Sequence, residues 1–459
     1  MRRHGRAATR MSIAAILAVM AFAPRAPQSA EVMASATVPI AAAEAAQLEL
    51  DVLVNTFEEL SEAPRRRRDL GCRDPQSRQC ELNLGRMGAL YVDLLRRTRA
   101  IQRDELSPES RIDLDVLEWR TQLAVARYLD PDSNGFDQLG YAANILRHTG
   151  QVHEPSELHE LGLQEIERIR TAMLDLVHAQ DPDADLHAFL EAARTDARLF
   201  ADSRAELRSI ARTIAAGIDR RLGAAFNGAP AVPYSIELLR RGQRGFMAQY
   251  RYGHDGIRGR PAGYVVLNSD PRQVPLFLLE ALLLHEAMPG HHLQTSWDTA
   301  HTERTSWRSR FAVTAFVEGW GLYAESLGAD LGVYRHPMTK FGRLNLEMWR
   351  AIRLVVDTGL HAFDWDRRRA EELFREHTAL PVEQIRIEVR RYEDNPGQAV
   401  AYKLGELKFR ELRTHAEEAL GSSFDLREFH DAVLAYGSIP LQSLDDQVDA
   451  WVTSAAQGS

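Results

Sequence analysis

Cysteine is almost missing from this chain: Cys72 and Cys80 are the only two in 459 residues. Two thiols cannot build a zinc ribbon. Lying on either side of a polar stretch that contains Pro75, they are expected to close a small disulfide loop in an oxidising compartment. An excess of basic residues is also missing. Lys and Arg number 56 against 65 Asp and Glu, a formal charge of -9, so no overall field gathers a polyanion and no nucleic-acid partner is expected. No repeat of solenoid period and no low-complexity tract is present. No later segment is a better bilayer-spanning candidate than the apolar run near the start.

That run, Met11 to Ala23, follows Arg2, Arg3, Arg6 and Arg10 and precedes the first acidic residue, Glu31. The layout is that of a secretory signal peptide over residues 1–36, with cleavage after Ala30 or Ala36. It is shorter than the ~20 residues a spanning helix needs. The mature chain is therefore expected to be periplasmic or secreted, without stable membrane insertion once the signal is removed.

With 45% hydrophobic and 26% charged residues the remainder can bury a large core. Apolar residues recur at three- and four-residue spacing over 41–60, 84–106, 112–128, 157–178 and 186–216, which predicts packing helices. The Gly-, Ala- and Pro-rich stretch 223–233 marks a change in character. It suggests a helix-rich front portion, 37–225, and a site-bearing portion, 226–459, in one continuous structural unit. Ala262 to Asn268 is the best strand candidate, and an apolar helix is expected over 274–288. The expected fold is mainly α: a large multi-helix structure with a cleft and a small antiparallel β element beside the active-site helix.

The chemistry concentrates in His285-Glu286-Ala-Met-Pro289-Gly290-His291-His292, at the end of that apolar helix. Burying such groups without partners is costly, and one zinc ion would remove the cost by taking neutral imidazoles and a carboxylate as ligands. The adjacent Glu286 could then serve as general base. On a straight helix His291 would point about 240° away from His285, and His292 would lie about 10.5 Å along the axis. Pro289-Gly290 is the pair expected where a helix is kinked. A bent helix bringing His291 round as second ligand is therefore inferred, with His292 the alternative. For the third ligand, Glu318 and Glu325 share a face of the apolar segment 316–325, so one could bind metal while the other supports a histidine.

The His285-Glu286-x-x-Pro289-Gly290-His291-His292-Leu293-Gln294 string followed by Glu318-Gly319-Trp320 resembles the bacterial family catalogued as domain of unknown function 885, grouped with the gluzincin-like metallopeptidases. Later segments, Arg353 to His361 and Tyr392 to Gly405, are similar to further motifs of that family. Phe316-Val317-Glu318 is also similar to the segment bearing the third zinc ligand in thimet-type oligopeptidases, which implies Glu318 as the metal-binding acid. The chain departs from the oligopeptidases where Pro289 replaces their second histidine. With the reading of the residues, the resemblance leads to the expectation of an exported zinc-dependent metallopeptidase in which His285, His291 (or His292) and Glu318 hold the ion and Glu286 moves the proton.

Tyr402 is the first choice for stabilising an oxyanion, because it follows the Pro396-Gly397-Gln398 turn and the oligopeptidases use a late tyrosine in this way. Arg353, His361 and Lys403 are further substrate-binding candidates, and Tyr264 lies on a strand that could receive an extended peptide by edge addition. Two rivals stay open: a zinc amide hydrolase acting on a small non-peptide metabolite, and a non-catalytic binding protein that retains the fold.

Overall fold

A computed structural model describes residues 40–62, 77–130, 133, 139–228, 232–243, 245–254, 261–300 and 307–458. The signal segment and Cys72 lie outside these residues. Cys80 is buried and disulfide-bonded.

The chain divides into two compact units, residues 1–152 and 153–459. The first holds α1 (Ile40–Glu62), α2 (Arg78–Ala100), α3 (Pro108–Leu129) and α4 (Tyr141–Thr149). Helix α2 starts six residues before the apolar periodicity does, because the Ser77 hydroxyl caps it by accepting from Cys80 N. Within this unit α2 packs on α3, where Tyr91 and Tyr128 stack with centroids 5.7 Å apart.

The second unit begins with α5 (Pro155–His178), α6 (Leu186–Thr195) and α7 (Arg204–Asp219). Within this unit α5 packs along a long helix that follows the sheet, α11 (Pro337–Ala362). The single helix expected over 186–216 is broken. Asp196 caps a 3-10 turn at 197–199 and Ser203 caps α7, so side-chain acceptors win over helix continuation.

Three strands follow, β1 (Tyr234–Leu238), β2 (Ala248–His254) and β3 (Pro261–Leu267), in spatial order β1-β3-β2. The sheet is mixed rather than antiparallel: β2 runs antiparallel to β3, whereas β1 is parallel to it, with Tyr234 opposite Gly263. The edge-addition role expected of 262–268 is also corrected. Strand β3 is central, its ladder taken up on both sides, and β2 is an edge.

The remaining helices are α8 (Leu279–Glu286), α9 (His291–Ala300), α10 (Thr314–Leu327), α11, α12 (Arg367–His377), α13 (Val382–Asp394), α14 (Val400–Leu420), α15 (Leu426–Leu434) and α16 (Leu441–Gly458). Helices α10 and α14 approach until their backbones touch: a Cβ on Gly319 would sit 2.4 Å from Gly405 Cα, so both positions exclude a side chain. Helix α11 is buried almost all round from Phe341 to Gly359. Two of its interior side chains accept from backbone donors: Asn345 from Ala379 N at 2.7 Å and Asp357 from Gly397 N at 2.9 Å. A buried polar group without such a partner would cost ~1–3 kcal/mol. Among the described residues no helix is long and apolar enough to cross a membrane.

Candidate metal centre

Helix α8 does not bend through Pro289; it ends at Glu286. Ala287 leaves helical geometry at ψ -118°, and α9 starts afresh at His291. The connection is tight enough that a Cβ on Gly290 would lie 1.9 Å from the His285 carbonyl oxygen, which requires glycine. Trp320 of α10 donates its indole N–H to the Pro289 carbonyl at 2.9 Å and ties the connection to the next helix. The inferred continuous kinked helix is thus replaced by two helices and a four-residue turn. His285 and His291 meet edge to face, with ring centroids 4.7 Å apart.

Glu318 rises from α10 between them, its Oε2 3.6 Å from His285 Nε2 and 3.4 Å from His291 Nε2. One ligand atom from each of the three residues lies within 4.8 Å of the others, the one such cluster of three or more among the described residues. The His285 ring fits because position 321 is glycine: a Cβ there would be 2.7 Å from Cε1 of the ring. Seven residues after Glu318, Glu325 places Oε1 2.9 Å from His285 Nδ1, and Arg350 Nη2 lies 3.0 Å from the same oxygen. Burial alone would depress the His285 pKa, but Glu318 and Glu325 outweigh it and push it up to about 9. Burial raises Glu318, and the two imidazoles overcome this and hold its carboxyl well below the usual range.

His292 points elsewhere. Its Nδ1 meets the Tyr250 hydroxyl at 3.1 Å and its Nε2 the Val232 carbonyl at 2.9 Å, under the sheet. Burial pushes its pKa down, favouring the neutral ring.

Two imidazole nitrogens and one carboxylate, one imidazole backed by a second carboxylate, form a donor set that fits zinc. The cluster opens into a cavity of about 460 Å³ whose lining includes Glu286, Tyr402, Arg353, Tyr250 and β2 residues 248–250. The Tyr402 phenol is pushed up by burial and by the Glu318 carboxylate, so it keeps its proton. Arg353 stacks on it, Cζ 4.0 Å from the ring centroid.

Other candidates do not reach this cavity. Lys403 is fully buried among Glu165, Glu347 and Glu406, its Nζ 2.8, 3.0 and 2.8 Å from their oxygens. His361 faces the Tyr392 carbonyl at 2.9 Å, and Tyr264 of β3 is not among the cavity-lining residues. Sequence reasoning passed over three charged lining residues, Arg350, Glu388 and Arg391. The signal for the last two was present: Glu388, Arg391 and Tyr392 sit at i, i+3 and i+4, one face of α13.

The fold has solved counterparts. "The crystal structure of the putative lipoprotein from Colwellia psychrerythraea" shares 26% identity at a TM-score of 0.63, covering 88% of this chain and 70% of that one. "The structure of a putative lipoprotein of unknown function from Shewanella oneidensis" shares 16% identity at a TM-score of 0.56, covering 80% of this chain and 71% of that one. No curated protein matches the chain. A family model described as "Bacterial protein of unknown function (DUF885)" matches residues 132–448, most of the chain including the whole cluster, and to that family this chain belongs.

Proposed function

We propose that this chain is an exported, zinc-dependent metallohydrolase of the gluzincin-like type that cleaves peptide bonds. One observation carries the reading: His285, His291 and Glu318 offer ligand atoms within 4.8 Å of one another, beside a glutamate that lines the same cavity. Export is supported by the N-terminal pattern and by the lipoprotein descriptions of both structural neighbours.

In this reading His285, His291 and Glu318 hold the ion, and Glu325, with Oε1 2.9 Å from Nδ1, supports His285 from behind. When bound, zinc supplies Lewis acidity at a substrate carbonyl and lowers the pKa of a water towards neutrality. The Glu286 carboxylate accepts the proton released by the attacking water and returns it to the leaving nitrogen. Tyr402 holds its proton at Oη and donates it as a hydrogen bond to the developing oxyanion. The β2 edge beside the cluster offers backbone groups to an extended peptide. A second reading, hydrolysis of a small non-peptide amide, draws on the cavity size, which also suits a small molecule.

The test is cleavage of a mixed peptide library followed by mass spectrometry, with and without a chelator, on the parent and on Glu286→Gln. Chelator-sensitive cleavage by the parent is expected. The variant should retain stoichiometric zinc by elemental analysis and lose on the order of 10²–10⁴-fold in rate. A zinc-free parent, or a variant as active as the parent, overturns the reading. Zinc binding without cleavage of any amide would leave the non-catalytic binding protein.

A further inference from the structure

One wall of the cavity carries more positive charge than its own partners consume. Arg350, Arg353 and Arg391 all line it. Arg350 is engaged with Glu325, while Arg353 and Arg391 share a single oxygen, Glu388 Oε2, at 3.1 and 2.9 Å. That oxygen also accepts the Tyr392 hydroxyl at 2.7 Å. Three guanidinium groups thus face two carboxylates; of the other acids lining the cavity, Glu318 belongs to the metal cluster and Glu286 stands beside it. Arg353 retains spare donor capacity. Its side chain is 4% exposed, its Nε donates to Tyr392 Oη at 2.8 Å, and its Nη1 has no hydrogen-bond partner. The guanidinium cannot swing away, because the rings of Trp349 and Tyr402 stack on it at 4.7 and 4.0 Å.

A rigid, buried guanidinium with a spare N–H, opening on a hydrolytic cavity, is a receptor for a planar anion. We infer that Arg353, supported by Arg391, binds the C-terminal carboxylate of the substrate, so that the enzyme releases short C-terminal fragments. Arg353 is one helical turn from Arg350, which reaches Glu325 behind His285, and it stacks on Tyr402, which lines the same cavity as Glu318. The release of C-terminal fragments rests on the peptidase reading; the carboxylate site does not.

The probe is a mixed-sequence hexapeptide pool synthesised once with free C-terminal carboxylates and once with C-terminal amides. Binding to zinc-loaded Glu286→Gln protein is read by equilibrium dialysis and mass spectrometry, and cleavage by the parent on the same pools. The acid pool should bind about ten- to hundredfold more tightly than the amide pool, as expected for charge-assisted hydrogen bonds. The parent should release short fragments from the carboxyl end. Arg353→Gln should abolish the preference. Because that change leaves Glu388 short of a donor, the double variant Arg353→Gln, Glu388→Gln removes both charges and should behave alike.

Equal binding of the two pools, or binding of neither, overturns the carboxylate site. Chelator-sensitive cleavage without any preference for the acid would then leave the peptidase reading intact. Acid-selective binding without cleavage does the reverse.

Discussion

Glu318 and Glu325 face opposite nitrogens of one imidazole: Oε2 of the first is 3.6 Å from His285 Nε2 and Oε1 of the second 2.9 Å from Nδ1. Seven residues on α10 separate them, two helical turns, so one helix supplies both the inner acid and its support. The outer carboxylate makes Nε2 a better donor and fixes the ring against rotation. Glu325→Gln should therefore weaken zinc binding about 10- to 100-fold while the protein stays folded. Competition with a chromophoric chelator measures this, and an unchanged dissociation constant would show that Glu325 serves only to neutralise Arg350.

The neighbouring histidines should separate cleanly. His291→Ala removes a ring 3.4 Å from Glu318 and should leave the purified protein with substoichiometric metal. His292→Ala should keep its metal and lose stability instead. It removes the partner of the half-buried Val232 carbonyl and one of the partners of the Tyr250 hydroxyl, at ~1 kcal/mol for each hydrogen bond lost. Elemental analysis alongside urea unfolding distinguishes the two losses. Metal missing from the His292 variant alone would reverse the assignment.

Helical periodicity made most of the framework legible, because helices such as α1 and α5 bury one apolar stripe each and local spacing is enough to find them. It failed where a short polar side chain competes locally, as at Asp196 and Ser203. The parallel pairing of β1 with β3 depends on which strand arrives next in space, and no alternation within either segment encodes that. Within the site, the seven-residue spacing of Glu318 and Glu325 was readable. The course of the chain after Glu286 was not, since it is set by Gly290 packing on the His285 carbonyl and by the bond from Trp320, 31 positions on. Lys403 looked available for substrate because its three carboxylate partners come from α5, α11 and α14.

Gly321 gives a steric test of the same ring. In Gly321→Ala the new methyl would stand 2.7 Å from Cε1 and 2.8 Å from Nε2 of His285, so the imidazole must shift. Overpacking of this kind costs ~1–3 kcal/mol, and zinc affinity should fall at least about tenfold as the donor moves off line. Gly217→Ala is the control. Its nearest neighbour is the tip of the Arg221 side chain at 3.6 Å, so in the last turn of α7 it should be neutral or stabilising by up to ~1 kcal/mol. Thermal melts and zinc titration of both proteins decide the matter; equal behaviour would mean that the ring is loosely held.

Acid sensitivity should trace in part to His430, a fully buried ring stacked on Phe226 at 4.6 Å. Its Nδ1–H donates to the Ala225 carbonyl at 2.8 Å and its Nε2 accepts the Tyr323 hydroxyl at 2.9 Å, an arrangement only the neutral imidazole can make. Burial, only partly offset by the Ala225 carbonyl, pushes its pKa down to about 3. Above the unfolded value near 6.5 neither state carries the proton and His430 adds no pH dependence. Below it the unfolded chain takes up a proton that the folded chain refuses until about pH 3, so stability falls with pH across that window. The slope from this group approaches ~1.4 kcal/mol per pH unit between about pH 6 and pH 4. His430→Gln, which keeps an amide donor and acceptor but cannot titrate there, should be the less stable protein at pH 7 and should lose stability more slowly on acidification. Urea unfolding of parent and variant at half-unit pH steps measures the two slopes, and parallel curves would place the acid sensitivity in other groups.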